Sequence, residues 1–189
     1  MRLFAAVPVP DHVRDALAVR LAAARGGTRL RWVRPEQLHV TLAFYGEVPD
    51  ERVDALAARL RRAGARVPPL RLQVGRAGTF GGPRSARVLW MRVEGDVEAL
   101  RRLAASARAA GRRVGLAGPA LSPEHRYRAH LTVARADPPA DVRPLLERLG
   151  ADPPLAWTAT HADLVRSDLG HGPAGSAAHT VIAALPLRP

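Results

Sequence analysis

LHVTLAFYG (Leu38–Gly46) decides the fold, because a near copy, AHLTVAR (Ala129–Arg135), returns about half a chain later. In a β-strand, residues two apart point to the same face. His39 and Thr41 should therefore project together from one strand, and His130 and Thr132 from another. Val40, Leu42, Leu131 and Val133 should face a core. The expectation is two similar lobes, each offering one His–Thr pair to a shared cleft.

Working outward, Arg2–Val9 reads as a strand. Asp11 reads as the cap of a helix through Ala24, with Val13, Leu17, Ala18 and Leu21 on one face and Gly26–Gly27 as its stop. Thr28–Glu36 reads as a connection. Asp50 opens a second helix to about Ala63, whose apolar positions are Val53, Leu56, Ala57 and Leu60. Val67–Val74 alternates like a strand, and Ala77–Ser85 reads as a Gly-rich loop that lacks the Lys of a P-loop. In the second half, Ala86–Val93 is the opening strand and Asp96 caps a helix to about Arg113. A long connection, Val114–Arg128, leads to the second pair. A short helix over 140–149, a strand over Leu155–Arg166, a turn over Ser167–Ala177 and a strand over Ala178–Leu185 complete the order.

The chain has 189 residues, 47% of them hydrophobic, which is enough for one domain with a real core. The formal net charge of +12 points to an anionic partner, nucleic acid or a phosphorylated small molecule. There is no Cys, which excludes disulfides and thiolate metal sites. The opening MRLFAAVPVPDHV is too broken by Pro8 and Pro10 for a signal segment. The run Gly172–Leu187 lacks charged residues but falls short of the ~20 apolar residues of a membrane span. A cytoplasmic monomer without membrane contact is the expectation.

Two histidines suit the hydrolysis of a phosphodiester. One takes a proton from water and the other gives one to the leaving oxygen, and an imidazole does either near neutrality. A Thr hydroxyl two residues away can donate to a phosphate oxygen. Arg135 follows His130 by five residues, an odd spacing that requires a twist or bulge before it reaches the cleft. Arg126 and Arg128 are further candidates for phosphate contact. Phe44 is a candidate for stacking on a base or for the core, and Tyr127 is an exposed stacking or hydroxyl-donor candidate. Aromatics are only 4% of the chain, so each needs a reason. Trp32, Trp90 and Trp157 are expected in the cores. His12 reads as a surface residue, His161 as packed and His125 as a loop residue. His171 and His179 lie in the C-terminal hairpin. Zinc held by the histidines is an alternative, but no HxH, HExxH or paired carboxylate accompanies either strand.

RLFAAVPVP, LHVTLAFYGEV, ARVLWMRV, YRAHLTVAR and LVRSDLG together resemble the two-histidine (2H) phosphoesterase superfamily, and within it the RNA 2′,3′-cyclic phosphodiesterases, also called 2′-5′ RNA ligases. The resemblance runs nearly end to end. It implies an α+β, bilobal, pseudo-two-fold fold, with two antiparallel sheets around a central cleft and helices outside. It implies one domain over residues 1–189, made of two intertwined lobes. It implies hydrolysis, with neither metal nor cofactor, of a 2′,3′-cyclic phosphate on an RNA end or a nucleotide to a 2′-phosphate. Carried over, His39 would be the acid and His130 the base. Thr41, Thr132 and Arg135 would contact the phosphate, and Phe44 would lie near the base. A 2′-5′ ligation would be the same site run backwards. Two positions depart from the family pattern: Ala129, where Pro is frequent, and His179, where an aromatic is common. The alternatives are a basic RNA-binding module with a vestigial site, and a cyclic phosphodiesterase acting on a non-RNA nucleotide.

Overall fold

The computed structural model describes residues 1–25, 30–124, 126–149, 153–172 and 175–188. The elements run β1 (Arg2–Pro8), α1 (Asp11–Ala24), β2 (Arg31–Trp32), β3 (His39–Glu47), α2 (Asp50–Gly64), β4 (Leu70–Phe80) and β5 (Ala86–Gly95). They continue with α3 (Val97–Arg113), β6 (His130–Ala140), α4 (Arg143–Arg148), β7 (Leu155–Ala159), β8 (His161–Asp168) and β9 (Ala178–Pro186). Single 3₁₀ turns occupy Pro35–Gln37 and Pro119–Leu121.

The strands form one antiparallel sheet in the order β7-β4-β5-β6-β3-β1-β8-β9, with β2 alongside β6. The order is symmetric about its middle: β6 answers β3, β5 answers β1, β4 answers β8 and β7 answers β9. The two sheets expected around a cleft are the two halves of this one sheet. They join between β3 and β6, where the register holds one pair, Val40 opposite Leu131. Both side chains are fully buried.

The helices exchange sides. Helix α1 leaves β1 in one half and packs on β7 in the other, whereas α3 leaves β5 and packs on β3. Helices α2 and α4 cover β9 and β4. The apolar stripes that drive this packing are Val13, Leu17 and Leu21 in α1, Leu56 and Leu60 in α2, and Leu100, Leu103 and Ala107 in α3. One continuous core cluster includes Val40 and Leu42 from the first half and Leu89 and Leu131 from the second.

Several local expectations give way to tertiary packing. Residues 77–80 are not loop but the end of β4, paired with Met91 to Val88 of β5. Gly78 belongs there because the Trp90 ring lies where its Cβ would stand. Leu155–Arg166 is two strands, not one: β7 pairs with β4, and after Thr160 the chain passes to β8, which pairs with β1. Asp11 and Asp96 make no side-chain cap bond. Asp11 is the first helical residue and pairs with Arg14 at 2.9 Å, while Asp96 accepts from the Arg71 amide at 2.8 Å. The connection before β3 contains β2, which pairs with Arg135 and Ala134 of β6. The Gly26–Gly27 stop and part of the Ser167–Ala177 turn lie outside the described residues.

Leu131→Ala should cost about 2–5 kcal/mol of stability, the range for removing a fully buried Leu. Urea unfolding measures it, and a loss below ~1 kcal/mol would show that the junction is loosely packed.

Candidate active site

Val40 and Leu131 point into the core, so their neighbours point the other way. His39 and Thr41 flank Val40, and His130 and Thr132 flank Leu131; all four are half-buried. Extending the antiparallel register by one residue sets His39 across from Thr132 and Thr41 across from His130. The four side chains therefore form a square on one face, related by the local two-fold axis between Val40 and Leu131.

Both strands then bulge at the same place. Ala5 and Ala6 of β1 pair with Ala43 and Thr41, leaving Leu42 as an extra residue on β3. Leu89 and Trp90 of β5 pair with Ala134 and Thr132, leaving Val133 as the extra residue on β6. Leu42 and Ala43 are buried in succession, as are Val133 and Ala134. A bulge shifts the alternation by one. It returns the residue five after each histidine, Phe44 and Arg135, to the face of the His–Thr pairs.

The two rings are held identically. Nδ1 of His39 lies 2.7 Å from the Gln37 carbonyl, and Nδ1 of His130 lies 2.7 Å from the Arg128 carbonyl. A carbonyl only accepts, so each Nδ1 carries the proton and Nε2 is the atom left to give or take one. Phe4 stacks on His39 at 4.8 Å, and His179 meets His39 and Phe4 edge-on at 5.6 and 5.1 Å respectively. Phe80 meets His130 edge-on at 5.0 Å, with Trp90 at 6.1 Å.

Burial is the main force on the pKa of each ring. It pushes His39 down to about 4, against the Gln37 carbonyl and with help from His179, His130 and Arg135. His130 is also lowered, by burial first, against the Arg128 carbonyl and with help from Arg135 and Arg128. The site therefore carries a surplus of cation-forming groups. A bound anion would raise both histidines. Among the described residues, no three His, Asp or Glu side chains converge as a metal site.

A sequence profile of the 2′-5′ RNA ligase superfamily matches residues 11–171. The chain belongs to that superfamily. An Archaeoglobus fulgidus protein named RNA 2′,3′-cyclic phosphodiesterase is 35% identical over 135 residues, 71% of this chain and 72% of its own. A solved Thermus thermophilus structure superposes with a TM-score of 0.79 at 32% identity, covering 100% of this chain and 98% of that one. Escherichia coli LigT complexed with 3′-AMP superposes with a TM-score of 0.74 at 26% identity, covering 98% of this chain and 96% of that one.

In this superfamily member, Arg135 lies close enough to lower both histidines. Phe44 stays out of the main core. It packs on a small cluster of Phe4, Ala6 and Val165 and lies under the Arg2 guanidinium at 4.7 Å. Tyr127 is half-buried rather than exposed: its hydroxyl has no partner among the described residues, and its ring packs on the main core beside Arg108 of α3. Trp90 is buried as expected, and it also lies beside His130; Trp157 belongs to the main core cluster. Arg126 and Arg128 are exposed, and Arg128 lies over Phe80 at 5.9 Å. His125 lies outside the described residues.

Gln37, Phe4 and Phe80 carried no role in the sequence reading, whereas His179 stood out there as a departure from the family pattern. Gln37 acts through a backbone carbonyl, and its side chain donates to the Ala177 carbonyl ahead of β9. A carbonyl is the same in every residue, so no sequence signal marks it. The phenylalanines did carry a signal: the chain has only three, and all three lie in or against this site.

Between pH 6.5 and about 4, the unfolded chain binds a proton that folded His39 refuses. Stability should therefore fall as pH drops through that window. Thermal unfolding across a pH series tests this, and His39→Gln should flatten the slope.

Proposed function

We propose that the chain hydrolyses the 2′,3′-cyclic phosphate of an RNA end or nucleotide to a 2′-phosphate by two-histidine acid–base catalysis. The observation that supports it is the square of two His–Thr pairs, with both Nδ1 atoms tied to carbonyls and both Nε2 atoms left for proton transfer. The names of the relatives and the 3′-AMP bound by LigT point to the same substrate class.

In this reading the phosphorus sits over the Val40–Leu131 junction. Nε2 of His130 takes a proton from water as its oxygen bonds to phosphorus. The bond to the 3′-oxygen breaks, and that oxygen takes a proton from Nε2 of His39. The two-fold relation puts the groups on opposite sides of the phosphorus, as an in-line displacement needs. Thr41 and Thr132 donate to the non-bridging oxygens, and Arg135 stabilises the charge that builds there. The two histidines end with exchanged protonation states and reset through solvent. No step calls on a metal. A 5′-hydroxyl in place of water, attacking with the same departure of the 3′-oxygen, would leave a 2′-5′ linkage.

The low pKa of His39 bears on the pH dependence. The acid must be protonated, and in the free protein it is protonated only well below neutrality. The substrate's anionic phosphate raises it. The pH profile should be bell-shaped, and the alkaline limb of kcat should lie at higher pH than that of kcat/KM. Coincident limbs would remove His39 as the acid. His39→Ala and His130→Ala should each lose about 10²–10⁴ in kcat on nucleoside 2′,3′-cyclic phosphates, assayed in EDTA. Wild-type turnover in either variant, or activity that dies with EDTA and returns with zinc, would overturn the proposal.

A further inference from the structure

Asp163 is a charged side chain beside the histidines that this chemistry leaves unused. It lies on β8, opposite Ala6 of β1 and Ala184 of β9. It is 8% exposed and lines the same cavity as Phe4, His39 and His179. Among the described residues, none donates a hydrogen bond to its carboxylate. Nε2 of His161 stands at 3.9 Å, beyond hydrogen-bond reach. Burial raises its pKa, with His161 opposing. Its carboxylate oxygens are not sealed in the interior but reach the cavity, where the donors of a ligand can take the place of water.

Its place in the sheet narrows the choice of ligand. Thr41, Ala6 and Asp163 lie in one row across β3, β1 and β8. Two strand spacings, about 10 Å, separate Thr41 from Asp163. That matches the reach of a nucleoside from its cyclic phosphate to the Watson–Crick edge of its base. The residue between them in that row is Ala6, whose side chain is a single methyl group. Phe4, Phe44 and Val165 form the adjacent apolar wall.

We propose that Asp163 reads the base of the substrate and selects guanine. Guanine places two adjacent donors, N1–H and N2–H, on that edge, and a carboxylate accepts both in parallel. Adenine and cytosine set a ring-nitrogen acceptor beside their single amino group. Uracil flanks its one N–H with two carbonyls. Each of these three would bring an acceptor against the carboxylate. The selection rests on the proposed function only for where the phosphate sits.

Calorimetric binding of 2′-GMP, 2′-IMP and 2′-AMP to the intact protein tests it. Wild type should bind 2′-GMP about tenfold to a hundredfold tighter than 2′-AMP, the range for a bidentate contact to a base. 2′-IMP, which keeps N1–H and lacks the amino group, should fall between. Asp163→Asn keeps one acceptor oxygen and should bring the guanine-to-adenine ratio to within about threefold. Equal wild-type affinities, or a ratio that survives in Asp163→Asn, would overturn the assignment. If that variant fails to fold by circular dichroism, the wild-type series decides alone, and 2′-IMP binding as tightly as 2′-GMP counts against it. Turnover of the cyclic nucleotides is measured in parallel. Guanine-selective binding without turnover would retire the catalytic reading and keep the base assignment. Turnover without base selection would do the reverse.

Discussion

The contact between Val40 and Leu131 carries the architecture. It is the one register pair between β3 and β6, whereas the ladders on either side, β1–β3 and β5–β6, are long. Two consequences follow from its geometry. Because the side chains are fully buried on the helix side, the core runs unbroken from one half to the other. Because the strands are antiparallel there, an approximate two-fold axis passes between them, and whatever flanks Val40 is matched by whatever flanks Leu131. A seam this short also leaves the strands free to diverge, which is how one sheet comes to line a cleft. The exchanged helices α1 and α3 reinforce the joint by tying each half to the other.

The matched bulges at Leu42 and Val133 are the second constraint. Without them, strand alternation would send Phe44 and Arg135 into the core, where an arginine could not be tolerated. With them, each strand presents three residues to the cleft at spacings of two and three. The halves diverge in what that third position supplies. One offers an aromatic ring and the other a guanidinium, so a symmetric backbone carries an asymmetric site: an apolar side beside His39 and a cationic side beside His130.

That asymmetry has an electrostatic counterpart. His39 lies against Phe4 and His179 and is the more strongly depressed histidine. His130 lies against Phe80, with Arg128 and Arg135 nearby. Burial favours the neutral form of both rings, and a bound anion opposes it. Charge in this site is thus built to respond to a phosphate, and the surplus of arginine over the whole chain acts in the same direction at longer range.

By itself the sequence determined the strands that carry the pairs, the amphipathic faces of α1, α2 and α3, and the family. Period-two and period-3.6 patterns are local, and the repeated HxT survives any change of packing around it. Tertiary structure alone decided the rest. Tyr127 read as exposed and is half-buried, because its ring packs on the core beside Arg108 of α3. Residues 77–80 read as a loop and are strand, because Trp90 needs the space above Gly78. Leu155–Arg166 read as one strand and is two, because its first part pairs with β4 and its second with β1 in the opposite half of the sheet. His179 read as part of a hairpin and stands beside His39, because β9 returns to the first half across the whole length of the chain. Each of these depends on what a distant segment places alongside, and no local pattern encodes it.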